Sequence, residues 1–384
     1  MSAENGGLQP PQLGLYIHLP WCVRKCPYCD FNSHELRAEL PAQRYLAALL
    51  QDLQHDAALI GQRTVSHVYF GGGTPSLFSA EQLAGLLNGI RAWVDLAADA
   101  EITLEANPGT IERDSFTAYR QAGITRVSLG AQSFNAGSLA RIGRIHGVAE
   151  IETSIGSLRT SGLDNFNLDL MYALPDQGLE MALEDLRRAI AAGAPHISHY
   201  QLTLEPNTAF AADPPPLPDD EAAWDMIEQA ADLLDAAGYR QYEISAWARP
   251  GHQCQHNLNY WRYGDYLGIG AGAHGKLTIA ATGEIWRFAK SRHPERYMST
   301  ERISEERMIE GRERMFEYFL NVLRLREPVR PDRFEAGTGL SWEQALERAG
   351  PALELGLLEL RGEQLEHTEK GWRFVNDIQA LFLP

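Results

Sequence analysis

Six strand-like runs recur along the first half of this 384-residue chain, and each is followed by a helical pattern. They are LGLYIHLP from Leu13, SHVYFGGG from Ser66, EITLEANP from Glu101, RVSLGAQS from Arg126, NFNLDLMYALP from Asn165 and HISHYQLTLEP from His196. The runs are β-branched and aromatic, and most end in Gly or Pro, as strands do. Between them residues 41–60 place Leu46, Leu49, Leu50 and Leu53 at the i, i+3, i+4 and i+7 positions of one buried helical face, and residues 179–192 form a second helix. Strand–helix units in series imply an α/β fold, a parallel sheet with helices outside, either doubly wound or curled into a barrel. In both architectures ligands bind at the carboxyl ends of the strands, and that is where the polar and glycine-rich motifs fall.

The stiff segment DPPPLPDDEAAW, 213–224, reads as an insertion, with Asp219 or Asp220 suited to cap a helix over 221–237 ahead of a last core strand, YRQYEIS. From Ile303 the pattern predicts a long helix to Leu323, more helix, and then period-two alternation around turn signals. Helices followed by such a hairpin suggest a winged helix. This one carries more Glu and Asp than Lys and Arg, which favours packing or partner docking over DNA.

Charge and hydropathy exclude several classes. A net charge of −17 disfavours general nucleic-acid binding. The longest apolar runs, such as 267–273, fall short of the roughly 18 residues that span a bilayer. Residues 1–12 are polar, with no basic or apolar signal region, and read as a disordered tail, so a cytoplasmic protein is expected.

Three of the four cysteines, Cys22, Cys26 and Cys29, lie within LPWCVRKCPYCDFNS. Four cysteines in so long a chain are no secreted disulfide framework. A structural zinc site normally closes with four ligands, and the second knuckle is missing here. An iron–sulfur cluster held by three thiolates keeps one iron free for another ligand. The spacing favours that cluster, with zinc and free thiols as alternatives.

C-x3-C-x2-C after a first strand, with Tyr28 before the last cysteine, resembles the radical S-adenosylmethionine (SAM) superfamily. Within it, YIHLPWC, GGGTP, EANP, SLGAQSF, GRIH and DLMYALPDQ resemble the oxygen-independent coproporphyrinogen III oxidase group, from about Leu13 to the C-terminus. The resemblance implies a partial (β/α)6 TIM-like barrel with a C-terminal helical, winged-helix-like domain. It also implies a [4Fe–4S] cluster on Cys22, Cys26 and Cys29, with SAM chelated at the open iron and cleaved to a 5′-deoxyadenosyl radical. By the same carry-over Tyr16, Tyr28, Gly72, Gly73, Thr74, Glu105, Gln132, Arg144 and Asp169 would contact SAM. The residue chemistry agrees: glycines admit close backbone approach, carboxylates accept paired hydroxyls, and a guanidinium forks onto a carboxylate.

Phe31 departs from the oxidases, which carry a further cysteine there and a longer N-terminal extension. Both departures are those of the haem-chaperone branch, whose members deliver haem to recipient haem proteins, respiratory enzymes at the membrane among them. In CQHNLNYW, H-N-x-x-Y-W matches the haem motif of that branch, which implicates His256, Asn257, Tyr260 and Trp261. A neutral imidazole ligates haem iron, and aromatic rings pack on porphyrin. Cys254 and His274 are secondary ligand candidates. The domain plan expected is a tail over 1–12, a radical SAM core over 13–245, a bridging segment over 246–300 and a C-terminal domain over 301–384. The function expected is haem carriage, with radical decarboxylation of coproporphyrinogen III propionates as the alternative and an inert, cluster-stabilised scaffold as a third reading. Whether SAM is cleaved or only regulatory, and whether the chain self-associates, stay open.

Overall fold

A computed structural model describes residues 7–109, 114–299 and 302–384. The six expected strands are β1 Leu13–Leu19, β2 Val65–Gly72, β3 Leu96–Ala106, β4 Arg126–Gln132, β5 Phe166–Tyr172 and β6 His196–Gln201. They lie side by side in chain order, every neighbouring pair parallel. A parallel sheet needs cover on both faces, and β4 is accordingly buried at every position.

The sheet extends beyond these six at both edges. The run read as a last core strand is instead an antiparallel edge: β7 Arg240–Glu243 pairs with β8 Ala246–Ala248, which pairs with β6. The turn between β7 and β8 is too short for a crossover, so an antiparallel hairpin is the available connection. The glycine-rich run supplies β9, Asp265–Ile269, which lies parallel to β1 on its other side. Antiparallel β10 His274–Ile279, β11 Glu284–Lys290 and β12 Ile303–Ile309 follow outward. β12 falls where the start of a long helix was expected. Its Glu and Arg residues are helix formers, but the strand is exposed over most of its length and held by its ladder to β11. The helix begins only at Gly311.

The helix Ala42–Ile60 covers the outer face with Tyr45, Ala48, Leu49 and Leu53, while Leu46 and Leu50 are only partly buried. Its buried stripe is turned toward Asp52 and Asp56, because both carboxylates accept from Lys290 Nζ at 2.7 Å. Tyr297 also donates to Asp52 at 2.7 Å. Asp219 caps the helix Asp220–Ala236 through Ala222 N–H. A second core joins Phe319, Phe334 and Trp342 of the helices Gly311–Val322, Pro331–Thr338 and Trp342–Glu354, with Phe382 from near the C-terminus stacked on Phe319. The hairpin Leu358–Arg361 with Gln364–His367 follows them, in the helix-then-hairpin order expected. That core also takes Ile285 of β11 and Ile309 of β12, so the sheet and the C-terminal helices share an apolar seam.

Among the described residues no helix is long and apolar enough to cross a membrane.

Lys290→Met would leave Asp52 and Asp56 buried with no counter-charge. The expected cost is about 3–5 kcal/mol, measured by chemical denaturation at neutral pH.

Candidate functional site

Strand register defines the two ends of the barrel. Gly14, His67 and Glu101 lie at one level, Tyr16, Tyr69 and Thr103 at the next, and Gly71 is paired with His18 at the carboxyl end. A cavity of about 390 Å³ opens at that end, lined by the three cysteines and, among others, Glu105, Gln132 and Asp169.

The cysteine loop is stitched to the glycine turn. Gly73 N–H donates to Leu19 O at 2.9 Å and Thr74 N–H to Trp21 O at 2.8 Å. A Cβ on Gly73 would stand 2.5 Å from that Trp21 oxygen, and Gly72 holds φ +119°, a conformation L side chains rarely adopt. Gly72 N–H donates to Glu105 at 3.0 Å. The N–H groups of Gly72, Gly73 and Thr74 are thus all spent within the protein.

All three loop cysteines are free thiols, and burial pushes those of Cys22 and Cys29 above the ordinary value. Among the described residues no three His, Cys, Asp or Glu side chains converge on a single ion. Arg144 reaches across: its guanidinium donates to Cys26 Sγ at 3.6 Å, Tyr28 OH at 3.4 Å, Asn107 Oδ1 at 2.5 Å and Gly130 O at 2.8 Å. None of these partners is a carboxylate, so the cation can still take an anionic group.

The carboxyl groups are held ready. Glu105 accepts from Tyr69 OH at 2.9 Å, and burial pushes its carboxyl up to about 7. Asp169 accepts from Ser128 OH at 3.0 Å and Asn167 Nδ2 at 2.8 Å, and burial raises it too. Gln132 accepts from Tyr200 OH at 2.7 Å and holds φ +69°, a strained backbone of the kind that gathers at ligand sites. The cavity therefore gathers eight of the nine expected SAM residues; Tyr16 lies one level below, its hydroxyl 2.9 Å from His18 Nδ1.

The expected haem residues are elsewhere. The helix Gln255–Trp261 plugs the opposite end of the barrel, with Gln255 N–H on Glu101 and Cys254 N–H on Tyr242 OH. His256 is 3% exposed, stacked on Tyr69 at 4.4 Å and met edge-on by Tyr260 and His67. Trp261 lies under the Arg324 guanidinium at 4.3 Å. Asn257 is half-buried, Cys254 is buried and His274 is exposed. Among the cavity residues not expected from the sequence are Asn107, which lies inside EANP, His146, inside GRIH, and Tyr69, Ser128 and Tyr200.

A sheet of this order, with three thiols and a polar pocket at its carboxyl end, defines a radical SAM protein. The Radical SAM superfamily model matches residues 16–189 and the HemN C-terminal domain model residues 309–374. The chain is 52% identical over 377 residues to "Heme chaperone HemW" of Haemophilus influenzae, across 97% of this chain and 98% of that protein. The protein of that name from Escherichia coli is 52% identical over 373 residues, with the same coverage. In Mycobacterium tuberculosis the figure is 35% over 387 residues, 96% of this chain and 95% of the relative. The chain belongs to the HemW family. Its fold is that of the Escherichia coli coproporphyrinogen III oxidase HemN, a radical SAM enzyme, with a TM-score of 0.82 at 24% identity over 97% of this chain and 90% of that one.

Tyr69→Phe removes the hydroxyl that stabilises ionised Glu105. The Glu105 midpoint should then rise from about 7, followed by carboxyl-carbon NMR across pH 5–9.

Proposed function

We propose that this protein binds haem and delivers it to recipient haem proteins, respiratory enzymes at the membrane among them, and that it carries a [4Fe–4S] cluster and SAM. One observation carries the reading: in a chain of the HemW family, the cysteine loop faces a polar cavity and presents Phe31, not a fourth thiol, at the cavity's edge.

Cys22, Cys26 and Cys29 would hold the cluster, which when bound supplies one-electron chemistry and an open iron for the amino-acid end of SAM. The chain's own groups fit the rest of that ligand. Arg144, a cation with no carboxylate beside it, would take the SAM carboxylate. Glu105 and Asp169 would accept the ribose hydroxyls, and Gln132, with Tyr200 on its oxygen, keeps its amide N–H groups to donate. Tyr28 and Thr74 close the sides, the latter fixed by Asn107 at 3.0 Å. Tyr16 supports this layer from below.

The test is anaerobic reconstitution of the full chain. About four irons and four sulfides per chain are expected, with an electron paramagnetic resonance spectrum of the reduced cluster that changes when SAM is added. Cys26→Ala should abolish cluster retention. A spectrum indifferent to SAM would favour a cluster that only braces the fold. Haem titrated into the loaded protein should bind saturably in the Soret region. Conversion of coproporphyrinogen III to protoporphyrinogen IX under reducing conditions would replace the carrier reading with the oxidase one.

A further inference from the structure

Arg144, Glu105 and Asp169 share the cluster-end cavity, yet among the described residues the guanidinium pairs with neither carboxyl group. Glu105 is taken up by Tyr69 OH and Gly72 N–H, and Asp169 by Ser128 and Asn167. The side chain that meets Arg144 from β3 is Asn107, whose Oδ1 lies 2.5 Å from the guanidinium. Asn107 follows Glu105 by two positions. The period-two alternation of β3, carried one residue past its end, turns both toward the cavity.

The amide has a single satisfactory orientation. A guanidinium carries donors and no acceptor, so Oδ1 faces Arg144 and Nδ2 is left to donate to Thr74 Oγ1 at 3.0 Å. The neighbouring strand makes room for this meeting. A Cβ on Gly130 would stand 2.8 Å from Asn107 Oδ1 and 3.1 Å from the guanidinium. The Gly130 carbonyl, also a neutral acceptor, holds the same guanidinium at 2.8 Å. An Asp at position 107 would match Asn in size but would pair with the guanidinium as a carboxylate. The charge that an anionic ligand needs would then be spent inside the protein. A neutral amide orients the cation and leaves its charge free.

We propose that Asn107 is a positioning residue that makes this cavity selective for a ligand with a free carboxylate, by holding Arg144 in place through a neutral amide. The ligand class so selected is a nucleoside joined to an intact α-amino-acid end. This rests on the SAM reading and adds to it the residue that decides which end group the site accepts.

The experiment is anaerobic calorimetric titration of the cluster-loaded full-length protein with SAM and, as a second probe, with decarboxylated SAM. Wild type, Asn107→Asp and Asn107→Ala are compared. Asn107→Asp should weaken SAM binding about tenfold or more, and by more than Asn107→Ala does, while decarboxylated SAM stays within about twofold of its wild-type affinity. That order runs against steric expectation, because Asp fills the space of Asn and Ala leaves a gap. Iron content and far-ultraviolet circular dichroism of each variant separate ligand loss from cluster loss or unfolding. Should Asn107→Asp fail to hold the cluster, Asn107→Ala decides: a loss confined to SAM supports the proposal, and unchanged affinity or equal losses for the two probes overturn it. An Asn107→Asp protein that binds SAM as tightly as Asn107→Ala or wild type would overturn the proposal. Equal losses for the two probes in Asn107→Asp would also overturn it, since they mark a role in the fold alone; the SAM reading would stand in each of these cases. No SAM binding by wild type would overturn the SAM reading and this proposal with it.

Discussion

Two backbone hydrogen bonds, from Gly73 and Thr74 to the carbonyls of Leu19 and Trp21, decide how the rest of the site is arranged. They clamp the exit of β1 to the exit of β2, so the cysteine loop leaves the sheet directly over the barrel mouth. Position 73 cannot carry a side chain without breaking them. The same turn sets Gly72 N–H against Glu105, which ties the carboxyl end of β3 to the first two strands. From there Asn107 reaches both Thr74 and the guanidinium of Arg144, and Arg144 reaches Cys26. The thiols and the polar wall facing them are therefore one connected hydrogen-bonded unit, built before any ligand arrives. Preorganisation of that kind lowers the ordering cost that a bound ligand would otherwise incur.

The barrel interior below this unit is filled, not hollow. Tyr16, Tyr69, His67 and His256 pack ring against ring, and the helix Gln255–Trp261 brings the last of them in from outside the sheet. Aromatic stacking and the bonds to Glu101 and Tyr242 make this helix a floor. The polar cavity is thereby confined to one end.

The six parallel strands were legible because each combines β-branched and aromatic residues with a Gly or Pro stop, and tertiary context agrees with local preference there. The polar residues that line the cavity, Glu105, Gln132 and Asp169, were legible for a related reason: a polar group at the carboxyl end of a buried strand must meet a polar partner, and a site at that end supplies one. β12 was not legible, since its Glu and Arg residues say helix while its partner β11 says strand. The tilt of the helix Ala42–Ile60 was hidden too, because Asp52 and Asp56 look like surface residues until Lys290, far along the chain, is seen between them.

β1 is the first strand to be made, yet its partner on one side, β9, comes from a segment after all of the other parallel strands. During synthesis the edge of β1 stays unpaired while β2 to β6 emerge, and the floor helix is still to come. A growing chain thus passes through a stage in which the sheet is nearly whole but open at one edge and unplugged beneath. Edges of that kind invite mispairing, and pairing across so long a stretch of chain is slow. Completion of the barrel is therefore a late step, and vectorial folding leaves the thiol loop attached to an unfinished sheet until β9 docks.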